Sequence, residues 1–208
     1  MTIPILDETG YQRALGELAE RDRDLGGVLS SLGPPPMWNR EPGFPTLIHI
    51  ILEQQVSLAS ARACFDKLLA TVDPLTPESL LTLDEGMLRE AGFSRQKTRY
   101  ARILAEEVRS GSLDLDGLGE IPDGEAREQL MRLKGIGRWT ADIYLLMALG
   151  RPDVWPVGDL ALVVAAQQIK GLDSRPSPEE FRDIGEPWRP WRSVAARLLW
   201  HHYLSGEK

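Results

Sequence analysis

Between Leu133 and Ala141 the chain reads Leu-Lys-Gly-Ile-Gly-Arg-Trp-Thr-Ala, two glycines one residue apart with a cation on either side. Glycine admits positive φ and lets another molecule approach the backbone closely, so a hairpin of this kind followed by a helix can present N–H groups to a phosphate. A bare Gly-x-Gly is also the mark of a simple tight turn between helices; Leu133, Trp139, Thr140 and Ala141 around it favour the helix–hairpin–helix reading. Twenty positions beyond Trp139, Asp159 heads the apolar stretch Leu160–Ala166. An isolated aspartate there is a helix cap. Behind an element able to grip a nucleic-acid backbone, the same carboxylate is a candidate catalyst, and the two roles are compatible. Tryptophans follow at Trp155, Trp188, Trp191 and Trp200, of which Trp188 and Trp191 are expected in the core.

The composition excludes several other chemistries. The chain has 208 residues, 24 Lys+Arg against 31 Asp+Glu, a formal charge of -7, 42% hydrophobic and 26% charged residues, as in an ordinary globular protein. A single cysteine, Cys64, excludes a disulfide framework, a multi-cysteine zinc site and a four-cysteine iron–sulfur cluster, and places the expected location in the cytoplasm. Cys64 lies in an apolar helical pattern and is expected in the core. His49, His201 and His202 have no spacing that makes a metal face. The N-terminus MTIPILDETG lacks the basic and apolar regions of a signal peptide, and the longest apolar runs, Ile143–Leu149 and Leu160–Ala166, fall short of the ~20 residues of a membrane span. Net acidity says little about a nucleic-acid partner, because phosphate binding depends on the local field of a few groups.

The elements that must position these residues all have helical period, so the fold is expected to be all-α. Tyr11–Glu20 and Asp24–Ser31 read as helices. Thr46 is the expected cap of a helix through Leu47, Ile48, Ile51 and Leu52, with the pattern resuming after the polar Glu53-Gln54-Gln55 at Leu58, Ala61, Phe65, Leu68 and Leu69. Helices follow at Pro77–Leu83 and Glu85–Ala91. Ser94 then caps a helix whose predicted apolar face is Tyr100, Ile103, Leu104 and Val108, stopped by Ser110–Gly111. After a Gly- and Asp-rich loop, Asp123 is the expected cap of a helix toward Leu133. The C-terminal part has a linker over Gly171–Pro178, a short helix from Pro178 and a longer one ending in LLWHHYL.

Taken together and in order, LKGIGRWTADIYLLMALG, PDVWPVGDLAL and WRPWRSVAARLLW resemble the helix–hairpin–helix DNA glycosylase superfamily, in the branch of bacterial 3-methyladenine DNA glycosylase II. ILEQQVSLASARA and AGFSRQKTRYARILA extend the likeness over roughly Pro42 to Leu204. The resemblance implies two helical lobes, one of 42–153 holding the hairpin 133–141 and one of 1–41 plus 154–208, with a DNA-binding cleft between them. It implies a monomeric, bacterial, nucleoid-associated enzyme of base excision repair that hydrolyses the N-glycosidic bond of alkylated purines in double-stranded DNA. Asp159 matches the family's essential aspartate, which faces the sugar of the extruded nucleotide and must be ionised there. Trp139 stands where bifunctional relatives have a Schiff-base lysine, which implies no strong lyase activity. Trp200 matches an aromatic that stacks on the flipped base, with Trp139 lining the same pocket; at Ile143, where an aromatic can line it, this chain is aliphatic, and Tyr144 is one position off.

Gln55 falls at the position of the family's wedge, with Gln54 beside it; the two glutamines also read as a polar break between helices. Lys134, Gly135, Ile136, Gly137, Arg138 and Trp139 correspond to the phosphate-binding hairpin, and the main-chain carbonyls of Met131, Leu133 and Ile136 to ligands of a monovalent cation, Na+ or K+, present with DNA; no other cofactor is implied. The residues before Pro42 are too few for the extra α/β domain of larger relatives, which points to a compact form. Two alternatives stay open: the same fold acting on oxidised or deaminated bases, and a non-catalytic helix–hairpin–helix DNA-binding module.

Overall fold

The computed structural model describes residues 3–206, so the expected limits at 1 and 208 lie outside the described residues. Among the described residues it contains twelve α-helices, two short 3-10 turns and no strand, and no helix long and apolar enough to cross a membrane. The Cα positions divide into two compact units: a central unit of Arg40–Tyr144, and a terminal unit of the chain up to Asn39 together with the chain from Leu145 onward. Residues 145–153, expected with the hairpin lobe, thus belong to the terminal unit.

In the terminal unit, α1 (Glu8–Arg21) and α2 (Arg23–Leu32) share the corner residue Asp22, which caps α2 by accepting from the amides of Asp24 and Leu25. The Asp22 carboxylate also receives Lys170 Nζ at 2.8 and 2.7 Å and Trp188 Nε1 at 2.7 Å. Burial alone would raise its pKa; the bonds from Lys170 and Trp188 outweigh burial and hold it below the ordinary value. This corner is thereby stitched to α10 (Leu160–Ile169) and to the turn after α11 (Pro178–Gly185). The last helix, α12 (Arg192–Gly206), is buried at every position from Ser193 to Trp200 because it packs against α1, α2 and α10.

One of those positions is Arg197, fully buried, which donates to the carbonyls of Met37, Ser193 and Leu146 at 2.6, 3.0 and 3.1 Å and to Asn39 Oδ1 at 3.3 Å. Burial pulls its pKa down to about 10, so the cation persists at neutral pH on carbonyl oxygens. Trp188 is core, as its spacing predicts. Trp191 is only half-buried: its Nε1 donates to Glu17 at 2.8 Å and its ring carries the Arg13 guanidinium at 5.4 Å.

The central unit is built on α3 (Phe44–Glu53), whose Leu47, Ile48, Ile50, Ile51 and Leu52 are all buried against α4 (Leu58–Thr71) and α7 (Arg95–Arg109). Thr46 does not cap α3. The helix begins one turn earlier, behind Gly43 at φ 125 with Pro45 in its first turn, and the Thr46 hydroxyl donates to Glu41 O at 2.6 Å. Two short helices, α5 (Pro77–Thr82) and α6 (Glu85–Ala91), precede α7, which Ser94 caps. Its buried face is Thr98, Ala101, Leu104 and Ala105, one position round from the predicted stripe, because small side chains let α3 and α5 approach. The next helix, α8 (Asp123–Met131), has Pro122 at its cap position, which moves Asp123 inside the first turn; there its charge still favours the helix dipole. Met131 is followed by the hairpin and then α9 (Arg138–Met147).

Candidate active site

Asp159 sits at the head of α10, one turn after a tight loop. Trp155 anchors that loop: it stacks on Phe181 at 4.6 Å, its Nε1 donates to Phe181 O at 3.0 Å, and Gly185 beneath it leaves no room for a Cβ, which would lie 2.6 Å from the indole nitrogen. The Asp159 amide then donates to Pro156 O at 3.0 Å. With φ -84 and ψ 113, Asp159 is the N-cap of α10, and its Oδ1 accepts from Leu162 N at 3.0 Å. The same Oδ1 accepts from Trp200 Nε1 at 3.2 Å. Two fixed donors on one oxygen set the plane of the carboxylate, and the positive end of α10 lies beneath it. Asp159 and Trp200 are each 8% exposed. The packing of α10 on α12 brings them together across 41 positions of sequence.

The hairpin lies in the central unit. Leu133 and Ile136 are buried, while Met131, Arg132, Lys134, Gly137 and Arg138 are exposed. Between residues 131 and 141 there are three cations and no carboxylate. The two glycines do different work. Gly135 has φ +98, and a Cβ on it would lie 2.1 Å from the ring of Tyr100, so both conformation and packing demand glycine. Gly137 has nothing within 4 Å of its would-be Cβ. Nothing within the fold requires glycine there, and among the described residues neither the Gly135 nor the Gly137 amide donates to an acceptor.

The buried carboxylate of Asp142 reaches Arg127 Nε of α8 at 2.6 Å and Arg138 Nε at 3.5 Å, tying the two helices of the hairpin to each other. The Leu133 carbonyl accepts from Ile136 N at 3.1 Å and closes the turn. Among the described residues no group of three or more His, Cys, Asp or Glu could hold a metal.

The α3–α4 turn meets the hairpin through Gln54. Its Nε2 donates to Gly135 O and to Thr140 Oγ1, both at 2.9 Å. The amide of Gln54, expected beside Gln55 at the wedge, is engaged within the fold. Gln55 is exposed, with φ 58.

Trp139 is half-buried at the start of α9. Ile143 and Tyr144, expected to line a base pocket, are 2% and 0% exposed, and the Tyr144 hydroxyl accepts from Gly43 N at 2.9 Å. Burial pushes that hydroxyl's pKa up. Tyr144 is an anchor for the start of α3, and both residues are interior. His49 stacks on Phe65 at 4.4 Å, with its Nε2 3.8 Å from Glu53, and burial holds its pKa down; His201 and His202 reach Leu32 O and Gln168 at 3.2 and 3.1 Å. Cys64 is half-buried rather than fully in the core. Sequence reasoning missed Gln54's two hydrogen bonds, Tyr100 beside Gly135, and Asp142; only the last left a local signal, its i, i+4 spacing from Arg138.

The chain is 28% identical over 200 residues to the alkylbase DNA glycosidase-like protein mag2 of Schizosaccharomyces pombe, covering 93% of this chain and 94% of that one. It is 32% identical over 165 residues to endonuclease III of Sulfolobus acidocaldarius, covering 77% and 70%. Among solved structures, the 3-methyladenine DNA glycosylase Mag1 of Schizosaccharomyces pombe in complex with abasic DNA superposes with a TM-score of 0.81 at 27% identity, over 91% of this chain and 94% of the other. The family model for HhH-GPD superfamily base excision DNA repair proteins matches residues 48–190. That stretch holds the turn, the hairpin and Asp159, and the chain belongs to the HhH-GPD superfamily of base excision DNA repair proteins.

Proposed function

We propose that the protein is a monofunctional DNA glycosylase that hydrolyses the N-glycosidic bond of alkylated purines in double-stranded DNA. The observation that carries the reading is the pair of N–H donors, from Leu162 and Trp200, converging on Oδ1 of Asp159. A purine alkylated at N3 or N7 is already cationic, so it leaves with the bonding electron pair as a neutral base and needs little general-acid help. Positive charge then develops on the deoxyribose. A preorganised carboxylate stabilises that oxocarbenium character and orients the water that adds to C1′, its proton passing to solvent. The two donors keep the carboxylate from rotating as charge develops. Aromatic faces attract cations, which suits Trp200, beside Asp159, to the charged base.

The grip on DNA belongs to the hairpin. The Gly135 and Gly137 amides, with Lys134 and Arg138 beside them, suit a single phosphate, and the open space at Gly137 lets it come close. The neutral carbonyls of Met131, Leu133 and Ile136 suit a monovalent cation, which would add positive charge beside that phosphate. Trp139 has no amine, so no Schiff base forms from that position.

The test is release of free base from methylated DNA, with the products identified by chromatography. The reading expects methylated purines from the wild type, no strand cleavage at the abasic site and no adduct trapped by borohydride. Release of only oxidised or deaminated bases from a substrate panel would move the enzyme to another substrate class.

A further inference from the structure

Gln54 closes the C-terminus of α3, and its side chain bridges two parts of the hairpin that lie 81 and 86 positions away: the Gly135 carbonyl and the Thr140 hydroxyl. The carbonyl is an acceptor only, so the nitrogen end of the amide must face it, and both amide hydrogens are then engaged. Thr140 is 2% exposed and lies in the first turn of α9. The Tyr100 ring packs close to Gly135, where a Cβ would lie 2.1 Å from it.

The residue after Gln54 has an unusual backbone. Gln55 is exposed at φ 58, a left-handed conformation that a residue other than glycine keeps only where its surroundings impose it. The far end of the turn is also fixed, since the Ser57 side chain caps α4 by accepting from Ser60 N. The turn 54–57 is therefore pinned to the hairpin at one end and to α4 at the other, and Gln55 is exposed on it together with Val56 and Ser57.

We infer that Gln54 is a positioning residue, which holds the left-handed turn carrying Gln55 in fixed register with the phosphate-gripping hairpin. This rests on the glycosylase reading above. A nucleotide leaves a paired duplex at a cost in stacking and pairing, and a side chain can occupy the gap only if it is correctly placed while the phosphate is held. Loss of the tie should therefore slow excision of a paired lesion and spare a lesion that is already unstacked.

The experiment compares single-turnover base release, at saturating enzyme, from a methylated purine in a fully paired duplex and from the same base in a one-nucleotide bulge. Gln54→Glu keeps the shape but cannot donate to either acceptor. It should release the paired base about tenfold more slowly and the bulged base at a rate within about twofold of wild type. Thr140→Val, which removes one bond, should move the same way by less, and Thr140→Ser should match wild type; these variants carry the test if Gln54→Glu does not fold. Equal slowing on both substrates, or no slowing on either, overturns the inference.

Fluorescence of 2-aminopurine placed opposite an abasic site gives a readout independent of catalysis. Its change on binding should be reduced in Gln54→Glu, and an unaltered change overturns the tie. If the wild type releases base from neither substrate, the glycosylase reading fails, and the fluorescence alone decides the role of Gln54.

Discussion

Two helices of this chain begin behind residues of opposite kind. The head of α10 is closed by Asp159, whose carboxylate accepts the amide of Leu162. The head of α9 follows Gly137, which has no side chain to offer and open space where a Cβ would go. The same physics, a positive helix end with amides to satisfy, is thus met by a side-chain cap in one unit, while in the other the position before the helix carries no side chain. Under the proposed function, the helix of the terminal unit fixes the carboxylate for chemistry, and the helix of the central unit serves the grip on DNA. The difference teaches that binding and bond cleavage should be separable by mutation.

The largest expected effect is on chemistry. Asp159→Asn keeps a competent cap, so stability should change by no more than about 0.5 kcal/mol, while single-turnover excision falls on the order of 1000-fold; thermal unfolding and rate measurements check the two halves. Next is a stability effect in the other unit. Gly135→Ala forces a Cβ into the Tyr100 ring at φ +98, and denaturant titration should show a loss of about 3 kcal/mol. Trp200→Phe preserves the aromatic face and removes the N–H on Asp159 Oδ1; excision at saturation should fall about tenfold with DNA affinity unchanged. The smallest effects concern salt. Lys134→Ala should flatten the plot of log affinity against log salt by about 0.9. Arg138→Ala should flatten it by less, because Arg138 also faces the Asp142 carboxylate at 3.5 Å.

Much of this division is written locally in the sequence. Ser94 and Asp159 cap the helices they precede, because a cap acts over three residues and needs only the right side chain in the right place. The helix Glu85–Ala91 has its expected bounds, closed by an aspartate before it and a glycine after it. The same logic misplaces Thr46 and Asp123. Gly43 with Pro45, and Pro122, start those helices earlier by fixing the backbone, a signal that competes with side-chain capping.

What the sequence does not display is any bond that closes a long loop. Gln54 reads as a polar break, and only the folded chain puts its amide on Gly135 and Thr140. Tyr144 reads as a pocket aromatic, yet its hydroxyl anchors Gly43. Trp200 is legible as an aromatic by resemblance; that its indole nitrogen orients Asp159 follows from α10 packing on α12.

The most direct test of the division sets Asp159→Asn beside Gly137→Ala on one methylated duplex, measuring both the dissociation constant and the excision rate at saturating enzyme. The account expects Asp159→Asn to bind like wild type and fail to excise. It expects Gly137→Ala, whose Cβ meets nothing in the free protein, to bind about tenfold more weakly and excise at the wild-type rate once saturated. Gly137→Ala with wild-type affinity, or Asp159→Asn with wild-type excision, would contradict it.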